Sequence, residues 1–346
     1  SVANGAALDF EGQPSYALAV AVTDAGGLGD SATVTVSLTD LNEAPVAAAD
    51  SATTDENTAA TISVLGNDFD VDGDTLSVVS VTQGANGAVA INPDNTLAYT
   101  PGAGFTGGDS FTYTVSDGNG GADTATVGVT VYNVLGGGPG NDTVQGGNGP
   151  DKIMGYGGDD LLKGKGGGDA LYGGTGNDTL QGQKGDDTLF GEDGNDSLSG
   201  GAGDDTLDGG AGNDSLAGGA GDDILVWDVV DVAIDGGSGT DRLRVDGGDA
   251  DLTSFTGTIS RIEEIDLASN AVANTVTLSA QDVLDISDTN TLTVLGDGGD
   301  SVSAGSGWTD AGFDGSGNHL FTQDVGGLLA TLVIAPDIAT NPDIIV

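Results

Sequence analysis

Aspartate recurs at every ninth position between residues 142 and 223, as Asp142, Asp151, Asp160, Asp169, Asp178, Asp187, Asp196, Asp205, Asp214 and Asp223. Two residues before each stands a glycine: Gly140, Gly149, Gly158, Gly167, Gly176, Gly185, Gly194, Gly203, Gly212 and Gly221. Each nine-residue unit also begins with glycine, from Gly137 to Gly218, and carries an aliphatic residue at position eight, from Val144 and Ile153 to Leu225. Positions one, four, six and eight hold their residue type through all ten units, forty matches without an exception. Carboxylates are hard oxygen donors, and calcium gathers roughly six to eight such oxygens from side chains and backbone carbonyls. Aspartates at a fixed period, set among flexible glycines, are therefore candidate calcium ligands.

The overall charge points the same way. Seven Lys and Arg face 54 Asp and Glu, for a formal net charge of −47. All seven lie between Lys152 and Arg261, so the first 151 residues have no cationic side chain. Such a surface excludes phosphate-backbone recognition, and nucleic acid is not an expected partner. The chain has no Cys and one His, which removes disulfides, zinc-finger clusters, Cys nucleophiles and two-His metal sites. No apolar run approaches the roughly 18 residues of a membrane span, so no transmembrane segment is expected. A chain that begins at Ser1 rather than Met reads as a piece of a longer protein. Gly is 63 of 346 residues, far above the usual share of about 7%.

These aspartates must be positioned by turns and very short strands. A Gly-rich stretch of six residues makes a turn, because Gly takes positive φ without strain. Three residues with an aliphatic one in the middle make a minimal strand with that side chain turned inward. Two units, eighteen residues, then close one coil of a flattened parallel solenoid. Stacked coils bring Asp142 over Asp160 and Asp151 over Asp169, about 4.8 Å apart. Unit charges at that distance repel by a gross roughly 3 kcal/mol at an effective dielectric near 20. Calcium between adjacent turns, held by Asp carboxylates and by backbone carbonyls of the Gly-rich turns, offsets this. One inward aliphatic per unit makes a thin core, so metal binding and folding are expected to be coupled. A Gly-rich phosphate loop is excluded, because no P-loop Lys-Ser/Thr follows and the nine-residue phase never breaks.

The unit resembles the calcium-binding nonapeptide repeat of RTX proteins. The resemblance implies a calcium-binding parallel β-roll. Residues 227–235 fill one nine-residue slot without the turn motif, and Gly236-Gly-Ser-Gly-Thr-Asp241 resumes it in register. Asp241 is an eleventh candidate ligand, expected over Asp223, so neighbours eighteen apart give four pairs on one edge and five on the other. Residues 245–346 are strand-rich and irregular, and resemble the C-terminal region of large RTX adhesins. That likeness implies a cap on the roll and an uncleaved type I secretion signal, with Pro342–Val346 as its acidic-then-apolar tail. His319, Trp227 and Trp308 read as strand, turn or packing residues.

The first 134 residues alternate apolar and polar side chains in short runs separated by Gly, Asn, Asp and Pro. Residues 16–39 read as a hairpin or two neighbouring strands, and residues 46–133 as an antiparallel β-sandwich of immunoglobulin-like architecture. Leu8-Asp-Phe-Glu11 and Asp40-Leu-Asn42-Glu43-Ala-Pro45 resemble motifs of cadherin-like bacterial surface repeats. That resemblance implies calcium ligation by Glu11, Asp40, Asn42 and Glu43. The segment from Asp68 through Asp70 and Asp72 to Asp74 matches half an EF-hand loop, but its twelfth position is Val79 and no helices flank it. It reads either as a solvated acidic turn or as a calcium site at the edge of the sandwich. The expected fold is all-β: the end of a truncated cadherin-like repeat over 1–44, a sandwich over 45–134, the β-roll over 135–244 and a cap with secretion region over 245–346.

Three functions fit these parts. The first is the calcium-binding C-terminal region of a secreted adhesin at the surface of a Gram-negative bacterium, with the type I secretion machinery and a surface or matrix ligand as partners. The second is the export module of a secreted hydrolase, and the third a surface-layer protein. Residues 1–133 contain no His and no Gly-x-Ser-x-Gly, so no enzyme is expected.

Overall fold

The computed structural model describes residues 10–27, 29–245, 248–255, 257–267, 273–297, 300–336 and 338. Leu8, Asp9 and the tail 342–346 lie outside the described residues. The chain divides into two compact units, Ser1–Val131 and Tyr132–Val346. The expected all-β architecture is present in both.

In the first unit, strands Ser15–Thr23 and Gly29–Ser37 pair antiparallel from Ser15↔Ser37 to Thr23↔Gly29. The alternating residues Leu18, Val20, Val22, Val34 and Val36 of this hairpin are exposed. The sandwich follows. Ala60–Ile62, Leu97–Pro101 and Gly87–Ile91 form one antiparallel sheet. Ser77–Val81, Gly107–Ser116 and the first part of Ala122–Gly138 form the other, with Asp50–Asp55 at its edge. Side chains alternate along each strand, so one face of each sheet supplies the core. Val64, Leu97, Tyr99, Tyr113, Val115, Val127 and Val131 are fully buried there. The two buried tyrosines keep polar partners: Tyr99 donates to Asp109 at 2.8 Å, and the Tyr113 hydroxyl lies 3.0 Å from both Asp68 oxygens.

The second unit is a parallel roll. Strands alternate between two sheets, and each pairs with the strand eighteen residues on: Leu162 with Leu180, Leu180 with Leu198, Leu171 with Leu189, Leu189 with Leu207. From Ile153 to Leu243 the position-eight residues stack as a dry column, none more than 1% exposed. Ile234 continues the column inside the motif-free slot, because Ala233–Ser238 still pairs in register with Ser215–Ala220.

Parallel stacking does not stop at Arg244. Leu243 pairs with Ile265 and Ile265 with Val294, so the same core runs on through longer coils. Leu292 then pairs with Leu332, and the strands Leu328–Ile334, His319–Val325 and Thr309–Phe313 end the sheet as an antiparallel group. Trp308 is a packing residue, as expected, its indole N–H donating to the Ala304 carbonyl at 2.7 Å. His319 is a strand residue whose ring lies between Phe313 and Phe321. A short helix, Ala280–Ile286, was not expected; Ser279 and Asp282 cap it reciprocally. Among the described residues, no helix is long and apolar enough to cross a membrane.

Candidate metal centre

After Asp142, each repeat aspartate sits at a turn and its side chain reaches back to the preceding coil. The backbone N–H of Asp142 donates to Oδ1 of Asp160 at 2.7 Å, and the bond recurs from Asp160 to Asp178, Asp178 to Asp196 and Asp196 to Asp214. On the other edge the chain runs Asp151 to Asp169 (2.8 Å), Asp169 to Asp187 (2.7 Å), Asp187 to Asp205 (2.8 Å), Asp205 to Asp223 (2.8 Å) and Asp223 to Asp241 (2.9 Å). The expected stacking, four pairs on one edge and five on the other, is what the registers place side by side. Asp142 opens its edge half-buried, while the other ten are at most 3% exposed.

From Asp160 to Asp241, one oxygen of each carboxylate is thus used and the other is not. Oδ2 of Asp160, Asp169, Asp178, Asp187, Asp196, Asp205, Asp214, Asp223 and Asp241 is buried with no hydrogen-bond partner. Burying an unpartnered charged oxygen is costly, and native structures seldom leave one so. They form two rows of open acceptors in register, four on one edge and five on the other. Burial pushes eight of these acids up: Asp169, Asp205 and Asp223 to about 7, Asp187 and Asp196 to about 6, and Asp178, Asp214 and Asp241 upward.

The glycines make room beside these oxygens. A Cβ on Gly191, the first residue of its unit, would stand 2.5 Å from Asp196 Oδ2 and 2.5 Å from the Gly209 carbonyl of the next coil. The missing side chain therefore leaves a gap bordered by a free carboxylate oxygen and a backbone carbonyl, the donor types calcium uses. The position-one carbonyls were not singled out in the sequence. Position four behaves differently. Gly158, Gly167, Gly176, Gly185, Gly194, Gly203, Gly212 and Gly221 all have positive φ, from 105° to 150°, and a Cβ on Gly176 or later would run into the position-four carbonyl one coil earlier. Gly140 and Gly149 lie in the first coil, and a Cβ on either meets nothing within 4 Å.

A second ladder occupies position five, and the sequence reading passed over it. Its bonds run the opposite way, from the later coil to the earlier side chain. On one edge Asn195 donates through N–H and Nδ2 to Asn177 Oδ1 at 2.9 and 3.0 Å, and Asn213 does the same to Asn195. On the other edge the residues are acids: Asp204 N–H donates to Asp186 Oδ1, and Asp222 N–H to Asp204 Oδ1. Beyond the last repeat, Asp241 N–H finds Glu263 Oε2 at 3.1 Å. Glu263 thus extends the five-pair edge across a longer coil.

Among the described residues of the first unit, two groups of acids that share Asp72 have the spacing to hold an ion: Glu11, Glu43 and Asp72, and Asp70, Asp72 and Asp74, with ligand atoms within 4.8 Å of one another. Asp70 Oδ2 and Asp72 Oδ1 are buried without partners. Asn42 donates to Asp117 at 2.8 Å, and Asp40 lies outside both groups. Asp68 faces inward to Tyr113 and the Ala48 N–H, so it serves the sandwich.

Residues 136–171, 163–198, 172–207 and 190–225 match the RTX calcium-binding nonapeptide repeat, and residues 42–130 match a bacterial Ig domain. The chain therefore carries RTX calcium-binding repeats and a bacterial Ig domain. No curated protein matches it. Among solved structures, a protocadherin gammaB7 cis-dimer aligns at 21% identity over 36% of this chain and 34% of that one, with a TM-score of 0.28. The human desmocollin-1 ectodomain aligns at 17% over 42% and 32%, with a TM-score of 0.27. An endo-fucoidan hydrolase of glycoside hydrolase family 107 aligns at 21% over 39% and 22%, with a TM-score of 0.23. This chain thus spans between 22% and 34% of the length of each of these proteins. Alignments at these scores carry no argument about function.

Proposed function

We propose that this chain is the calcium-binding C-terminal part of a secreted bacterial adhesin, folding outside the cell as its roll takes up calcium. The observation that carries the reading is the nine buried Oδ2 atoms without partners, four along one edge and five along the other, each facing a glycine gap. Asp142 to Asp241 and the turn carbonyls would hold the ions. Bound calcium supplies positive charge between carboxylates that otherwise repel. The residues do the rest: the Oδ1 ladder sets each carboxylate, and the Leu column sets the coil spacing.

The remaining assignments belong to the same reading. Glu11, Asp40, Asn42, Asp70 and Asp72 would hold calcium in the N-terminal unit, supported by the buried oxygens of Asp70 and Asp72. The four parts 1–44, 45–134, 135–244 and 245–346 would serve as repeat end, sandwich, roll and export region. The type I secretion machinery and a surface or matrix ligand would be partners at a Gram-negative cell surface. Intracellular calcium is low and extracellular calcium high, so binding to the folded form alone would keep the roll open inside and closed outside.

The test is a calcium titration of the full chain followed by circular dichroism and size. The expected result is a cooperative gain of β-structure and compaction, reversed by chelator. A spectrum identical in chelator and calcium overturns calcium-coupled folding. Deleting residues 245–346 should retain the protein inside a bacterium carrying a type I exporter, and efficient export of the truncated chain overturns the export assignment.

A further inference from the structure

The edge that begins at Asp142 has no motif aspartate after Asp214, because Val232 occupies position six of the next unit. The backbone there is irregular. The Asp214 carbonyl accepts from both Val232 N–H (2.9 Å) and Ala233 N–H (3.4 Å), where a regular coil shows one such bond, as from Ser215 to Asp196. No residue is inserted, since Ser215 still pairs with Ala233, and Asp231, one residue before Val232, lies close enough to Asp214 for their charges to interact. Asp231 is 4% exposed; its Oδ2 accepts the Asp228 N–H at 3.0 Å, and its Oδ1 is buried without a partner. Asp214 Oδ2 is likewise unpartnered, against the open side of Gly209.

Gly209 and Asp231 line the same cavity, of about 330 Å³, together with Asp208, Trp227, Asp228 and Asp249. This space has room for a cation with several waters at about 30 Å³ each. The Trp227 indole N–H is also buried without a partner, a donor suited to a water in such a shell.

We propose that Asp231, with Asp214, forms a tenth calcium site at the motif-free coil, one that keeps part of its hydration shell because the cavity is open beside it. Divalent oxygen-seeking cations fit the donor set, two free carboxylate oxygens and further carboxylates along the wall. The inference rests on the calcium reading of the ladder, and its test separates the two.

Terbium binds calcium sites and emits when a nearby tryptophan is excited. The full chain is titrated with terbium, and bound ions are counted by native mass spectrometry in calcium. The expected result is emission sensitised by Trp227: Trp227→Phe lowers it at least five-fold with the ion count unchanged. Asp231→Asn, nearly isosteric, lowers it at least five-fold, removes one ion, and leaves the calcium midpoint of the roll within two-fold of wild type. Unchanged emission and count in Asp231→Asn overturn the tenth site while the ladder stands. Emission that survives Trp227→Phe overturns the location. A wild-type chain that takes up no ions overturns the ladder reading itself.

Discussion

At Asp187 two bonds of the ladder meet: its Oδ1 accepts from Asp169 and its N–H donates to Asp205. Asp142 gives one bond and accepts none of the ladder. Asp187→Ala should therefore destabilise the calcium-loaded roll by about 2–3 kcal/mol, since it orphans a buried N–H and removes a charged acceptor. Asp142→Ala should cost under about 1 kcal/mol. Calcium midpoints from circular dichroism rank the two, and equal midpoints in both and in wild type reject the ladder. A second residue-scale consequence lies at position two. Tyr156, Lys165, Gln183 and Glu192 adopt left-handed φ of 73–86°, where Gly174, Gly201, Gly210 and Gly219 stand in neighbouring units. A side chain there costs about 1 kcal/mol relative to glycine. Gln183→Gly and Glu192→Gly should each raise unfolding stability in calcium by roughly that amount, read from urea melts.

The two edges of the roll differ as elements. One carries an amide ladder at position five, the other Asp186, Asp204 and Asp222 in a column of acids. Asp204→Asn would let an Nδ2 reach Asp186 Oδ1, as Asn195 reaches Asn177, and would remove one charge. The calcium-free roll should gain about 0.5–1.5 kcal/mol, visible as more β-structure retained in chelator; less retained structure would contradict the equivalence of the edges. The position-six ladder and the Leu column were legible because their period never breaks from Gly137 to Leu225. Position five is Asn or Asp in eight of the ten units, broken by Pro150 and Gly168, and those residues read as ordinary turn residues until the registers show them bonding between coils. Asp231 and Glu263 were not legible. One sits a residue out of phase beside Val232, the other follows a coil of 22 residues rather than 18, and only the backbone path brings them to the ladder. The helix Ala280–Ile286 is seven residues long, too short to show a 3.6-residue period, and its one signal was the cap pair Ser279 and Asp282.

Over the whole molecule the raised acids make stability depend on pH in a set direction. A carboxyl whose folded pKa exceeds its unfolded value stabilises the fold while protonated. That contribution is complete below about 4 and is lost as pH rises through the folded values of about 6 to 7. Without calcium the roll should thus be better ordered at pH 5 than at pH 7.5. In saturating calcium the order should reverse, because protons compete for the same oxygens. Thermal melts at the two pH values, with and without chelator, check both signs. The roll also has a mechanical character that follows from its pairing. Each eighteen-residue coil is bonded only to the coil before it and the coil after it. Pulled by its ends, such a stack unspools coil by coil rather than rupturing at once. Each released coil lengthens the chain by about 60 Å, the reach of eighteen extended residues. A force trace would be a sawtooth of equal teeth, and a cell tethered through this segment would be held by a spring that lengthens one coil at a time and rewinds when the load drops.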